Sequence, residues 1–92
     1  MSQRPDGQKP RTRPQLAERI IDGEALIVNA DRGEIVVLNQ AGAFIWPLLD
    51  GTNDLATITN RVCEHFEIDE LTARADVESF LDSLDARDAL VE

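Results

Sequence analysis

Alternating side-chain positions in the first half of the chain predict β-strands. From Leu16 onward the residues follow a two-residue period as far as Asp22-Gly23. An Asp-Gly pair between two such runs indicates a tight hairpin, because glycine readily adopts the positive φ of a type I′ turn. A second strand is expected at residues 25–29, a turn at residues 30–33 and a third strand at residues 34–38. Three strands joined by two short turns predict an antiparallel meander.

Beyond residue 38 the apolar spacing changes to three and four residues, which is typical of amphipathic helices. Asn39 is expected to cap a first helix over residues 40–49 that ends at Asp50-Gly51. Pro47 lies inside this helix and predicts a bend rather than a break. A second helix is expected from residue 53 or 54, and a third from residue 70 to about residue 87. The predicted fold class is therefore α+β, with a winged helix-turn-helix-like order of three strands followed by three helices.

Composition divides the chain into a tail and one small domain. Residues 1–14 hold three prolines and carry a net charge of +3, whereas residues 15–92 carry −12. We predict a flexible basic tail at 1–14 and a single folded domain at 15–92. Because nucleic-acid binding draws most of its affinity from Lys and Arg, a domain this acidic is not expected to bind nucleic acid.

The residue types that support catalysis are scarce. The chain has one His, one Cys and no Tyr, and its carboxylates fall on predicted helix surfaces and turns. No glycine-rich phosphate-binding motif occurs, and a single His makes no metal site. We therefore predict no enzyme activity, no cofactor and no metal. With no apolar run near the ~18 residues of a membrane span, and no apolar core in the first 14 residues, a cytoplasmic protein without a membrane partner is expected.

The third predicted strand is apolar on both of its faces. Ile35 and Val37 point to one side, and Val36 and Leu38 to the other. One face can pack on the helices, which leaves the second face and the strand edge for another element or a partner. A peptide could complete the edge by β-strand addition, and the third helix is the expected wall of a groove for its side chains.

The motifs "LNQAGAFIWPLLDG", "TITNRVCEHF", "ADVESFLDSL" and "LVE" together resemble the PqqD family. The resemblance implies a non-catalytic RiPP recognition element, a chaperone that binds the leader segment of a ribosomally synthesised precursor peptide. It also implies a partner enzyme that modifies the peptide, such as a radical SAM enzyme in the biosynthesis of pyrroloquinoline quinone (PQQ). In the family the leader adds beside the third strand and packs on the third helix. Carried onto this chain, the expected peptide-binding residues are Glu34, Ile35, Val36, Val37, Leu38, Arg74, Asp76, Val77, Phe80, Leu81 and Leu84.

Two other interpretations fit the same pattern of elements. The first is a winged-helix module that binds nucleic acid, against which residues 60–92 count, since they hold three Arg and ten acidic residues. The second is a dimerisation module in which the apolar edge pairs with a second copy. A homodimer and a guest peptide would compete for one surface.

Overall fold

The computed structural model describes residues 4–91 of the chain. The strands are β1 (Arg11–Thr12), β2 (Leu16–Ile21), β3 (Glu24–Asn29), β4 (Glu34–Val37) and β5 (Leu90–Val91). The helices are α1 (Gln40–Ile45), α2 (Leu55–Phe66) and α3 (Glu70–Ala86), with a short 3-10 helix at Trp46–Leu48.

The predicted antiparallel meander is confirmed. Strands β2, β3 and β4 form a three-stranded sheet in that order, and both pairings are antiparallel. Asp22 has φ of 53° and Gly23 has φ of 81°, the positive values that a type I′ hairpin turn requires. The α+β class and the order of three strands before three helices are confirmed as well.

Each of the three helices begins at a side chain that accepts a hydrogen bond from the first turn. The Oδ1 atom of Asn39 accepts from Gly42 N at 2.8 Å at the start of α1. At the other two helices, Asp54 accepts from the backbone of the third residue on at 2.8 Å, and Asp69 does so at 2.7 Å. These bonds satisfy N–H groups that have no partner within a helix, so local sequence defines where each helix starts.

Pro47 has a larger effect than predicted. We expected a bent α-helix over residues 40–49, but α1 ends at Ile45 and Trp46–Leu48 forms a 3-10 helix. Proline lacks an N–H and its ring clashes with the preceding turn, so the α-helix does not continue through it. Gly51 ends this region with φ of 83°, the left-handed conformation expected for it.

The core lies between the inner face of the sheet and the three helices. Ala25 and Ile27 supply the sheet side. The side chains of α2 and α3 that face them at helical spacing are fully or almost fully buried: Leu55, Ile58, Val62, Ala73, Val77, Leu81 and Leu84. No helix within residues 4–91 has the length and apolar character needed to cross a membrane.

The structure places residues 4–14 against the domain, which differs from the prediction of a separate flexible tail. Strand β1 pairs with the C-terminal strand β5. The carbonyl groups of Asp6 and Gln8 accept hydrogen bonds from the first N–H groups of α2. The Arg4 side chain, only 10% exposed, contacts carboxylates of α3. Ion pairs of Arg4 with α3, together with the backbone hydrogen bonds to β5 and α2, hold this segment on the domain.

Acid is expected to lower the free energy of unfolding through the helix caps. Hydrogen bonds from Thr57 and Thr72 hold the pKa values of Asp54 and Asp69 below their usual range. A carboxylate with a lowered pKa in the folded state stabilises the fold above its unfolded pKa of about 3.9, and this contribution disappears as pH falls. Changing both residues to Asn keeps the caps but removes the titration. In urea unfolding between neutral and acid pH, the free energy of unfolding should therefore fall less steeply with acid in the double variant than in the wild type. An equal fall in both proteins would show that the two caps do not cause the loss of stability in acid.

Candidate functional site

The β4 edge of the three-stranded sheet is open, as is the β2 edge at its other side, but only the β4 edge lies beside the groove described below. Within residues 4–91, β4 pairs with β3 on one side and with no strand on the other. Leu38 N donates to Ala25 O at 2.9 Å. Because direct hydrogen-bonded pairs alternate along an antiparallel ladder, Val36 also points its N–H and C=O groups toward β3. The N–H and C=O groups of Ile35 and Val37 therefore point away from the sheet.

A groove with a volume of about 380 Å³ runs between β4 and α3. The two elements run in opposite directions, since Asp76 lies with Leu38 in the groove whereas Leu84 and Arg87 lie with Glu34 in a smaller pocket. The lining residues of the groove are Val36, Val37, Leu38, Asn39, Ala41, Gly42, Asp76, Ser79, Phe80 and Ser83. An open strand edge and a trough for side chains thus lie next to each other.

Gly42 allows the Phe80 ring to lie close against α1. A Cβ atom at this position would lie 3.0 Å from Phe80 Cε1 and 3.2 Å from Asn39 Oδ1. Both distances are tighter than ordinary van der Waals contact, so any side chain here would displace the ring or disturb the cap of α1. The glycine is therefore part of the groove's shape and not only a helix residue.

Five of the predicted peptide-binding residues line the groove. They are Val36, Val37, Leu38, Asp76 and Phe80. Ile35 lies on the same strand but its side chain points to the outer face of the sheet, where it is 67% exposed. The strand side of the predicted site therefore lies at the open edge, and the helix side is only partly as expected.

The wall that α3 presents to the groove differs from the predicted one. Val77 and Leu81 are completely buried, Leu84 is 2% exposed, and all three belong to the core. Each residue turns a helix by about 100°, so the stripe that packs on α2 and the sheet cannot also face the groove. The groove is lined instead by the neighbouring stripe of Asp76, Ser79, Phe80 and Ser83.

Two further predicted residues lie outside the groove. Arg74 contacts Asp6 and Glu78 and donates to the Arg4 carbonyl at 2.7 Å, so it faces the N-terminal segment. Glu34 is half-buried at the start of β4, where it lies 3.4 Å from Arg32. Both side chains already have partners within the chain.

Sequence reasoning missed the groove residues Asn39, Ala41, Gly42, Ser79 and Ser83. Their spacing carried a usable signal, because residues 76, 79, 80 and 83 form a stripe at helical spacing beside the apolar one. A small residue three positions after the helix cap also indicates a close approach of another element. Neither signal says which element approaches.

The outer face of the sheet is apolar and is left uncovered by residues 4–91. Ile35 and Val37 are 67% and 59% exposed and lie opposite Val28 and Leu26 of β3. A strand that added to β4 would alternate its side chains between this face and the groove. Apolar side chains of β4 therefore lie both on the outer face and toward the groove, so an added strand could pack apolar side chains on either side.

The fold and the open edge define a class of protein: a small α+β domain of winged-helix-like order with an unfinished sheet beside a helix-walled groove. Residues 24–90 match the family described as coenzyme PQQ synthesis protein D (PqqD), so the chain belongs to the PqqD family. A search among curated proteins gives no match.

Two solved structures share the fold. The structure of TbiB1 in complex with the TbiA(β) leader peptide superposes with a TM-score of 0.76 at 24% identity, over 87% of this chain and 93% of that one. A lasso peptide synthetase B1 complexed with the leader peptide gives a TM-score of 0.78 at 24% identity, over 91% of this chain and 99% of that one. This chain and the two solved chains therefore share one architecture over nearly their whole lengths.

Proposed function

We propose that this protein binds the leader segment of a ribosomally synthesised precursor peptide by β-strand addition and presents it to a modifying enzyme. The observation that carries the proposal is the open edge at Ile35 and Val37 beside the groove between β4 and α3. A strand added there would hydrogen-bond to the outward N–H and C=O groups. Its alternate side chains would enter the groove.

The energetics explain why both the edge and the groove are needed. The outward groups of two residues allow roughly four hydrogen bonds, each worth about 0.5–1.5 kcal/mol net. Micromolar binding requires about 8 kcal/mol, and ordering the peptide costs several kcal/mol more. The remainder must come from apolar side chains of the guest against Val36, Leu38 and Phe80.

Known complexes support this assignment. The two structures that share the fold are described as complexes with leader peptides, and the family is described by its part in PQQ synthesis. A radical SAM enzyme, which the family resemblance implies, is our candidate for the partner that modifies the bound peptide. PQQ biosynthesis is the pathway that the family description favours.

The proposal assigns binding rather than catalysis to this chain. Its one histidine, His65, stacks on the Phe44 ring at 4.1 Å between centroids. No group of His, Cys, Asp or Glu in residues 4–91 could hold a metal ion. The groove offers shape and hydrogen bonds, and we assign the chemistry to the partner enzyme.

Hydrogen exchange tests the binding mode without changing the protein. We expect a leader segment from a precursor peptide encoded beside the gene for this chain to slow amide exchange at Ile35 and Val37, because these N–H groups gain partners. Val36 serves as the internal control, since its N–H already points toward β3. NMR-detected exchange, with and without peptide, resolves the three amides.

Two results would contradict the proposal. Binding that left the exchange of Ile35 and Val37 unchanged would place the peptide elsewhere. Protection without peptide that rose with protein concentration would indicate that two copies pair through the edge, and sedimentation would then report the dimer.

A further inference from the structure

We propose that Asp76 makes the groove selective for peptides with a lysine or arginine beside the C-terminal end of β4. The inference rests on the proposed function, because it concerns the guest of the same groove. It adds a chemical preference that shape alone would not impose.

Asp76 stands apart from the other carboxylates of α3. Glu78, Asp82 and Asp85 all contact the Arg4 guanidinium. Glu70 lies in the first turn, where the helix dipole favours a negative charge. Within residues 4–91, the ion pairs of the structure include none to Asp76, although Arg4 of the N-terminal segment pairs with carboxylates on the opposite face of the same helix.

The position of Asp76 places it directly in the path of a guest strand. It lines the groove together with Leu38 and Asn39, and it also lines the adjoining depression between the starts of α1 and α3. That depression contains the apolar side chains of Phe66 and Ile68. Asp76 therefore lies where the strand-binding groove opens into a second surface that a longer peptide would reach.

The groove provides no cation of its own. Among the described residues that line the groove and the depression, Asp76 is the only charged one, and none of them is a lysine or an arginine. The nearby Arg74 is occupied by Asp6 and Glu78 on the other side of α3. Any charge that compensates Asp76 in a complex has to come from the guest.

Covering Asp76 makes that compensation necessary. A peptide in the groove removes water from the carboxylate, and a charge that loses water without gaining a partner weakens binding. A guest lysine or arginine would pair with the Asp76 carboxylate and offset its lost hydration, whereas a guest aspartate or glutamate would repel it. The side chain concerned is the inward-pointing one nearest to Leu38, because guest side chains alternate between the groove and the outer face.

A selection from a displayed library of short random peptides tests the inference without knowledge of the natural precursor. Wild-type protein, Asp76→Lys and the control Glu64→Lys would each be immobilised. Glu64 is exposed on α2 and lines neither the groove nor the depression, so its variant has the same change in net charge. Wild type and the control should enrich peptides with Lys or Arg at a constant spacing from the apolar residues, and Asp76→Lys should enrich Asp or Glu at that position.

Binding of one selected peptide then gives the size of the effect. Its Lys→Glu form should bind wild type about fivefold more weakly than the parent and should regain affinity for Asp76→Lys, as expected for a partly desolvated ion pair. Asp76→Asn, which keeps the shape of the side chain, should bind the two peptides with similar affinity. The comparison of wild type with Asp76→Asn holds even if Asp76→Lys folds poorly.

The outcomes separate this inference from the proposed function. Peptides that require the Val37 edge but show no charge preference, or the same preference on wild type and Asp76→Asn, would overturn the role of Asp76 and leave strand addition standing. Selected peptides that bind a Val37→Pro variant as well as wild type would overturn the proposed function and this inference with it.

Discussion

Replacing Val37 by proline is expected to weaken leader binding at least tenfold while the domain stays folded. The Val37 N–H points to the open edge, so proline removes a donor that only the guest uses. The position is suited to proline, because it ends β4 on an edge strand and the preceding Val36 is already extended. A tenfold loss corresponds to about 1.4 kcal/mol, the scale of one hydrogen bond plus the misfit of neighbouring contacts. Fluorescence anisotropy with a labelled leader segment measures the change.

The neighbouring position gives a matched control. Val36→Pro removes a donor that faces β3, so it should lower the free energy of unfolding, whereas Val37→Pro should leave it nearly unchanged. Urea denaturation separates the two variants. If Val37→Pro folds normally and binds the leader with wild-type affinity, the open edge is not where the peptide adds.

Ser79→Trp is expected to abolish most leader binding by filling the groove. Ser79 is exposed and lines the groove on α3, so the indole ring would occupy the volume of about 380 Å³ beside Phe80. The core is not disturbed, because the buried stripe of α3 lies at other positions. We expect a loss of tenfold or more in affinity with an unchanged unfolding transition, measured by calorimetric titration and thermal melting.

Asn60→Trp is the control for this change. Asn60 is exposed on α2 and does not line the groove, so the same new side chain there should not affect binding. Equal losses in both variants would point to a general effect of added tryptophan. Undiminished binding by Ser79→Trp would mean that guest side chains do not enter the groove.

Elements that depend on short stretches of sequence were predicted well. The hairpin at Asp22-Gly23 and the caps at Asn39 and Asp69 lie where the sequence indicates them. Each is decided within a few residues, by a positive φ or by a hydrogen bond to the next helical turn. Pro47 predicts a disturbance of the first helix. Whether the chain there forms a bent α-helix or a 3-10 turn depends on the packing around Trp46, which the local sequence does not determine.

The predicted residues on the strand lie at the open edge, whereas several of those predicted on the helix lie in the core. A strand has only two faces, so the alternation of Ile35 to Leu38 leaves few choices. A helix can present any sector, and the apolar stripe with Val77 and Leu81 was assigned to the groove although the core takes it. The groove stripe of Asp76, Ser79 and Ser83 is polar or small and gave no hydrophobic signal.

The amino-acid sequence alone was enough to define three strands, three helix starts and an apolar edge strand, because turns, caps and alternation act between close neighbours in the chain. Tertiary packing decided the rest. It placed the basic N-terminal segment on the acidic face of α3, where Arg4 meets Glu78, and it rotated α3 so that Asp76 and Phe80 face β4. These contacts join residues far apart in the chain, and their geometry follows from how the whole core fills space.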